Sequence, residues 1–343
     1  MFSGQNGLQS HLDVYSPWAS RKGLLVNIAK TKAMAFGKLP DMLPIFTILG
    51  RLIEWTNKHK YLGVTFISSH ADIFSQHYIE KEKSACHTAN VTFTLVNYFG
   101  DLPPRERVSI YKSCIDPLLS FGVEVTVDVS ASHSQILENV QVTYLRHLLS
   151  IQKRSIRAIM FTETGILPLP YRHILFVLCY LAHVLCLQEH RILTWCLESN
   201  VDLWVQGKAC WLGDIAILSL ESLLNPEDVN KLIKAVPQRC SDWAQNQIQS
   251  SAHLELMWDR VKCLRGGRLS SEPLLFRSYL LVCIWDHRVA LTRLLMVSHT
   301  LAVEQGRWMT VRNSSVHVPR AFRLCRMCHD DVEDEIHILF TCS

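Results

Sequence analysis

SHSQILENVQVTYLRHLL, Ser132–Leu149, sets the architecture. Apolar residues recur at steps of three and four, so Leu137, Val140 or Gln141, Tyr144 or Leu145, and Leu148 share one face of a helix. The same spacing extends upstream through 80–99 and 104–119. Leu102-Pro103-Pro104-Arg105 reads as a helix start, because an early proline lacks an N–H that would have no partner there. Downstream, Pro168 and Pro170 break the chain before an apolar helix over 171–198. Asn225-Pro226-Glu227-Asp228 caps another helix, and Gly266-Gly267 precedes a basic helical segment over 273–304. The bulk of the chain is therefore expected to be helical.

The N-terminal region reads differently. Residues 7–22 form an amphipathic helix, with Leu8, Leu12, Tyr15 and Trp18 or Ala19 on one face, ended by Gly23. Leu24 and Val26, then the alternation of Ala33-Met34-Ala35-Phe36, predict short strands around a basic turn holding Lys30 and Lys32. Further β signals follow at Ile53–Thr56 and Tyr61–Phe66. The expected fold is mostly α, with a small N-terminal α+β portion.

A chain of 343 residues, 48% apolar and 19% charged, has ample material for a core and is not globally disordered. The net charge of +4 is mild, but Arg260–Arg326 carries twelve Arg and Lys against Glu272, Asp286 and Glu304. Such a local excess points to a polyanion partner. Arg can pair bidentately with phosphate, and Trp285 and Trp308 in this segment could stack on bases. The apolar neighbours Leu280–Ile284 equally suit a core position for Trp285. Lys153, Arg154 and Arg157 form a second basic group, either tracking phosphates or simply solvated.

The twelve cysteines are scattered, and most sit inside apolar helical patterns, as expected of free thiols in a reducing compartment. The N-terminus lacks the pattern of a signal peptide. The longest apolar run, Ile174–Leu187, is fourteen residues with His183 inside it, short of the ~20 that span a bilayer, so no membrane partner is expected. No Ser-His-Asp or Cys-His nucleophile pattern, Gly-rich phosphate loop or His-Glu-x-x-His occurs.

The C-terminus is Cys325-x2-Cys328-x8-His337-x4-Cys342. Three thiolates and an imidazole make a closed tetrahedral set for a structural Zn²⁺ with no open position for substrate. A short helix over Glu333–Phe340 would aim His337 inward, and Asp331, Glu333 and Asp334 suit its N-terminus. Free thiols or a disulfide are the competing readings.

Several stretches taken in order resemble the C-terminal part of a non-LTR, LINE-like retrotransposon reverse transcriptase. They are LQSHLDVYSPWASRKGLLVNIAKTKAMAFG (8–37), HKYLGVTF (59–66), IYKSCIDPLLSFGVEV (110–125) and TETGILPLPYRH (162–173). The closing LTRLLMVSHTLAVEQGRW (291–308), with VPRAFRLCRMC and EDEIHILFTC, is similar to the zinc-knuckle region of fungal elements. The resemblance implies a palm remnant over 1–67 and a thumb-like helical region over 68–150. It implies a helical connector with the basic segment over 151–315 and a CCHC knuckle-like segment over 316–343. Lys30 and Lys32 match a motif near the incoming nucleotide, and Tyr61 to Gly63 match the segment that forms the primer grip. Each also has a plainer reading, as a solvated turn and an ordinary hairpin. In the family, a Tyr/Phe-x-Asp-Asp hairpin lies upstream of the helix beginning here near Leu8, and its carboxylates hold the two catalytic metals. The chain is expected to lack it, so no catalytic residue is assigned and Mg²⁺ is not expected. The implied role is binding of RNA or DNA, with Arg307, Arg320 and Arg323 joining the basic residues above. A protein-interaction module and a decayed element without function are the rivals. The family's need to reach chromosomal DNA implies an intracellular, preferentially nuclear, location over the cytoplasm.

Overall fold

The structure, a computed structural model, describes residues 5–36, 42–68, 72–100, 102–127, 130–218, 224–251, 254–264, 266–307, 309–311 and 314–342. It is mostly α, with twelve α-helices among the described residues and strands of two to four residues. In chain order these are α1 (Gln5–Arg21), α2 (Ser75–Phe99), α3 (Pro104–Ile110), α4 (Asp116–Ser120), α5 (Ala131–Leu149) and α6 (Arg157–Thr164). There follow α7 (Leu169–Leu185), α8 (Ile192–Val205), α9 (Trp211–Leu218), α10 (Pro226–Gln249), α11 (Trp285–Leu295) and α12 (Ala302–Gln305). The chain divides into two compact units, Met1–Lys81 and Glu82–Ser343.

In the first unit, Leu8 and Leu12 of α1 pack on a small core of Phe46, Ile48 and Ile53, joined by Val26, Ile28, Ala33 and Trp55. Gly23, at φ 69°, ends α1, and the Leu24 amide donates to the Ala19 carbonyl. Lys32–Ala33 pairs in parallel with Glu54–Trp55, and Thr47–Ile48 antiparallel with Arg51–Leu52. Lys58–Tyr61 pairs antiparallel with Val64–Ile67. Leu24 and Val26 form no strand. Instead the Asn27 side chain accepts from the Lys30 amide and caps a 3₁₀ turn at Ile28–Lys30, leaving Leu25 99% exposed.

The second unit is built on α7 and α10. Val177, Leu178 and Leu181 of α7 share a core with Val229 and Val236 of α10 and Leu212 and Ile215 of α9. Every residue of α6 from Ala158 to Thr164 is buried. The α5 face is the expected one, with Leu137, Val140, Gln141, Tyr144, Leu145 and Leu148 all buried. Gln141 is satisfied on both ends of its amide: it donates to the Tyr111 hydroxyl (2.8 Å) and the Leu167 carbonyl (3.0 Å), and accepts from the Leu169 amide (2.8 Å).

Three helices differ from expectation. The 104–119 helix contains a π turn at Tyr111–Ile115, which separates α3 from α4. The 171–198 helix breaks between α7 and α8, at a polar run from Gln188 to Arg191. The basic 273–304 segment is a 3₁₀ turn, α11 and α12 in place of one helix. Arg288 donates to the Val282 carbonyl (2.7 Å) at the start of α11. No single described helix is long and apolar enough to cross a membrane; α6 and α7 together meet the length and composition but bend by 63°.

Candidate metal centre

The C-terminal segment folds around its cysteines. Leu324 bridges Val332, the Cys325 amide donates to the Asp331 carbonyl (2.7 Å), and the His329 amide donates to the Cys325 carbonyl (3.0 Å). His329 takes φ 62°, and this tight reversal brings Cys328 back beside Cys325. Asp334 accepts from the His337 amide (2.8 Å) and caps the helical turn, which starts at Glu335, later than the expected Glu333. A π turn at His337–Thr341 completes it, and the Cys342 amide donates to the His337 carbonyl (2.7 Å).

These constraints converge Cys325, Cys328, His337 and Cys342, whose ligand atoms all lie within 4.8 Å of one another. The Cys325 and Cys342 Sγ atoms are 3.7 Å apart, and Cys328 Sγ is 3.2 Å from His337 Nε2. A tetrahedral ion with metal–sulfur bonds of ~2.3 Å needs a sulfur–sulfur edge of about 3.8 Å. The set could hold a metal ion. His337 Nδ1 faces the Thr341 hydroxyl (3.2 Å), which also donates to the His337 carbonyl (3.2 Å). This leaves Nε2 for the metal and fixes the ring plane. Backbone N–H groups of Cys328 and Met327 bring the Cys325 thiol down to about 6. Burial, then the neighbouring Cys325, pushes Cys342 up to about 11.

The tail is docked through charge. The buried Glu333 carboxylate accepts two-pronged hydrogen bonds from Arg326 (2.8 and 2.9 Å) and one from the Ala302 amide (3.1 Å), and its carbonyl accepts from the Val303 amide. Burial alone would raise the Glu333 pKa; these bonds outweigh it and leave it lowered. Its contribution to stability is therefore full above the ordinary value of 4.5 and lost as pH falls through the folded-state value. Glu333→Gln should cost about 1–3 kcal/mol at neutral pH. Its unfolding midpoint should converge on the unmutated protein's as pH drops below 4.5. A constant difference between the two at all pH values would exclude this role for the charge.

The other candidate residues are distributed as follows. In the first unit, Lys30 is exposed at the end of its 3₁₀ turn, and Lys32 pairs with Glu54. Tyr61 and Gly63 flank Leu62 at the tip of the hairpin; Leu62 (φ 47°) and Gly63 (φ 88°) form its two-residue turn, whose geometry demands positive φ at both. In the second unit, Lys153 and Arg154 are exposed in a turn, while Arg157 pairs with Glu138 (3.2 Å). Arg307 pairs with Glu304 (2.7 Å) and Arg320 with Asp334 (2.9 Å). Arg323 is buried and donates to the Val303 and Val318 carbonyls. Burial, then the Arg307 charge, lowers its pKa. Trp285 is half exposed, and Trp308 lies outside the described residues.

Over 149 residues the chain is 28% identical to the RNA-directed DNA polymerase from mobile element jockey of Drosophila melanogaster. The match supports a relationship to the reverse transcriptases of non-LTR retrotransposons. It covers 43% of this chain and spans 16% of that relative's length. No protein-family model matches, and no solved structure matches.

One constellation was not singled out from sequence. Glu163, in the Glu-x-Gly segment, is fully buried and accepts from Arg260 Nη1 (2.9 Å), with Arg277 Nε at 3.7 Å. The Arg277 amide donates to the Glu163 carbonyl (3.0 Å). The available signal was a lone carboxylate within the apolar run Ala158–Ile166, which calls for a cationic partner when buried.

Proposed function

We propose that the chain is the C-terminal part of a fungal-type, non-LTR retrotransposon reverse transcriptase, without the catalytic Asp-Asp hairpin, that grips RNA or DNA. The similarity to an RNA-directed DNA polymerase carries this reading. Cys325, Cys328, His337 and Cys342 would hold one Zn²⁺, whose part is structural: four protein ligands leave no coordination site for a reacting group. Lys30, Lys153 and Arg154 present exposed cationic side chains to phosphate. At the tail, Arg320 adds a cationic side chain that is about half exposed and paired with Asp334. Tyr61 at the hairpin tip offers a stacking face. Access to chromosomal DNA would place its action in the nucleus.

Binding of this kind is salt-dependent, because each neutralised phosphate releases counterions. About four contacts to a single strand give a log–log slope near −3, an affinity loss of roughly 50-fold between 50 and 200 mM salt. Filter binding to single-stranded RNA and DNA across that range checks it. Absence of binding at 50 mM would remove the reading.

A second reading, a protein-interaction module, is favoured by the apolar surface of the tail, where Met327 is 76% and Phe340 75% exposed. Association through that surface would be insensitive to salt and lost in Phe340→Ser.

A further inference from the structure

We infer that the outer face of α8 docks a second copy of this chain, the two helices pairing antiparallel about a twofold axis. Among the residues of Ile192–Val205 only Glu198 and Asp202 are charged, so the helix is apolar nearly all round. Such a helix is normally covered on every side. Here one side is covered: Leu197, Val201 and Trp204 pack on the core shared by α7, α9 and α10. On the other side, 3.6 residues per turn place Ile192, Trp195, Cys196, Ser199 and Leu203 within about 100° of arc. All five are exposed, Ile192 at 72% and Trp195 at 56%. An open apolar stripe of this kind marks an interaction surface. A lipid bilayer is a poor fit, because fourteen residues reach only about 21 Å against a hydrocarbon core of about 30 Å.

The charges choose the occupant. Arg191, the N-cap residue, and Asp202 lie on one flank of the stripe, beside Trp195 and about 16 Å apart along the axis. Both are exposed, and neither makes an ion pair among the described residues. Glu198 lies further round, away from the stripe, and the opposite flank, Leu193 and Asn200, is uncharged. A twofold axis crossing the helix sets each flank against the same flank of the other copy. Placed over the small side chains of Cys196 and Ser199, near the middle of the stripe, it brings Arg191 of each copy beside Asp202 of the other. The surface is thus self-complementary, as an isologous interface requires. Parallel pairing would instead set the charged flank against Leu193 and Asn200. The small central residues also let the helices approach to the usual interaxial distance of about 8–10 Å. One helix face is smaller than the ~800 Å² per partner of a standard interface, so the dimer is weak and concentration-dependent.

Sedimentation equilibrium of the full chain between about 1 and 200 µM should show monomer and dimer in exchange. Trp195→Glu, a change at an exposed position, should weaken the dimer about tenfold or more. Asp202→Arg sets like charges together at both ends of the pair and should weaken it about tenfold. Adding Arg191→Asp restores both pairs in the reversed sense, and the dissociation constant should return to within about threefold of the unmutated value. Neither reversal harms the helix itself, since aspartate is a good N-cap and a cation suits the last turn, so the thermal midpoint should hold. The two positions are too far apart to pair within one helix, so recovery in the double variant reports contact between copies. Monomers throughout the range, dimers that survive Trp195→Glu, or a double variant that does not recover overturn the proposal. So does a dimer lost in Phe340→Ser and kept in Trp195→Glu, which would place the contact at the tail. Monomers that attach to phosphatidylcholine vesicles through Trp195 would make lipid the occupant and overturn it too.

Discussion

Gly165→Ala should destabilise the second unit by about 2–5 kcal/mol. Two costs combine. Gly165 has φ +66°, where an L-residue loses roughly 1–2 kcal/mol. A Cβ there would also lie 2.8 Å from the Phe276 amide nitrogen and 3.2 Å from the Leu275 carbonyl carbon. Both neighbours are backbone, so no side-chain rotation relieves the clash, and overpacking of this kind costs about 1–3 kcal/mol. The displaced segment carries Arg277, whose amide bonds Glu163, so the buried ion pair is disturbed as well. Gly207 supplies an internal control. It has the same φ of +66° but nothing within 4 Å of its Cβ position, so Gly207→Ala should show only the conformational part. Denaturant unfolding of both variants separates the two costs. Equal losses would show that the close approach at Gly165 is not energetically important.

The second large effect is metal removal. The purified chain should carry close to one equivalent of Zn²⁺, and a strong chelator should release it with three newly reactive thiols, those of Cys325, Cys328 and Cys342. Structural zinc contributes on the order of 10 kcal/mol of apparent binding energy in small finger peptides. Its loss here should open the tail from Leu324 to Cys342. The opening should propagate through Glu333 and Arg323, which bond α12 and its flanks, so amide protection at Ala302 and Val303 should fall too. Cys328→Ser should reproduce this with zinc present, while Thr341→Val should weaken metal affinity about 10–100-fold by freeing the His337 ring. A protein purified without metal, with protected amides at 302 and 303, would refute the assignment.

Local patterns were readable in the sequence, and long-range pairings were not. The buried face of α5 follows from a 3.6-residue period, which depends on nothing outside the helix. The four converging tail residues follow from spacing, because only short segments separate them. The strand expected at Leu24–Val26 failed because Asn27 offers its neighbours a side-chain hydrogen bond that the apolar pattern does not report. The Arg-rich stretch shows a different limit. Charge counting treats Arg277, Arg288 and Arg323 alike with solvated residues, yet all three are buried and bonded to carbonyls or to Glu163. Glu163 and Arg260 are ninety-seven residues apart, and no local spacing connects them.

Gln141 has a bearing on how the chain threads itself. Its amide matches three groups from two separate stretches, around Tyr111 and around Leu167–Leu169. Its neighbours on either side are valines. Sliding α5 by one residue would bring a valine to that spot and bury the Leu169 N–H, the Leu167 carbonyl and the Tyr111 hydroxyl without mates. An apolar face alone tolerates such slippage, since Leu, Val and Tyr can exchange places with modest loss. The single glutamine turns an otherwise slippery contact into one with a unique alignment.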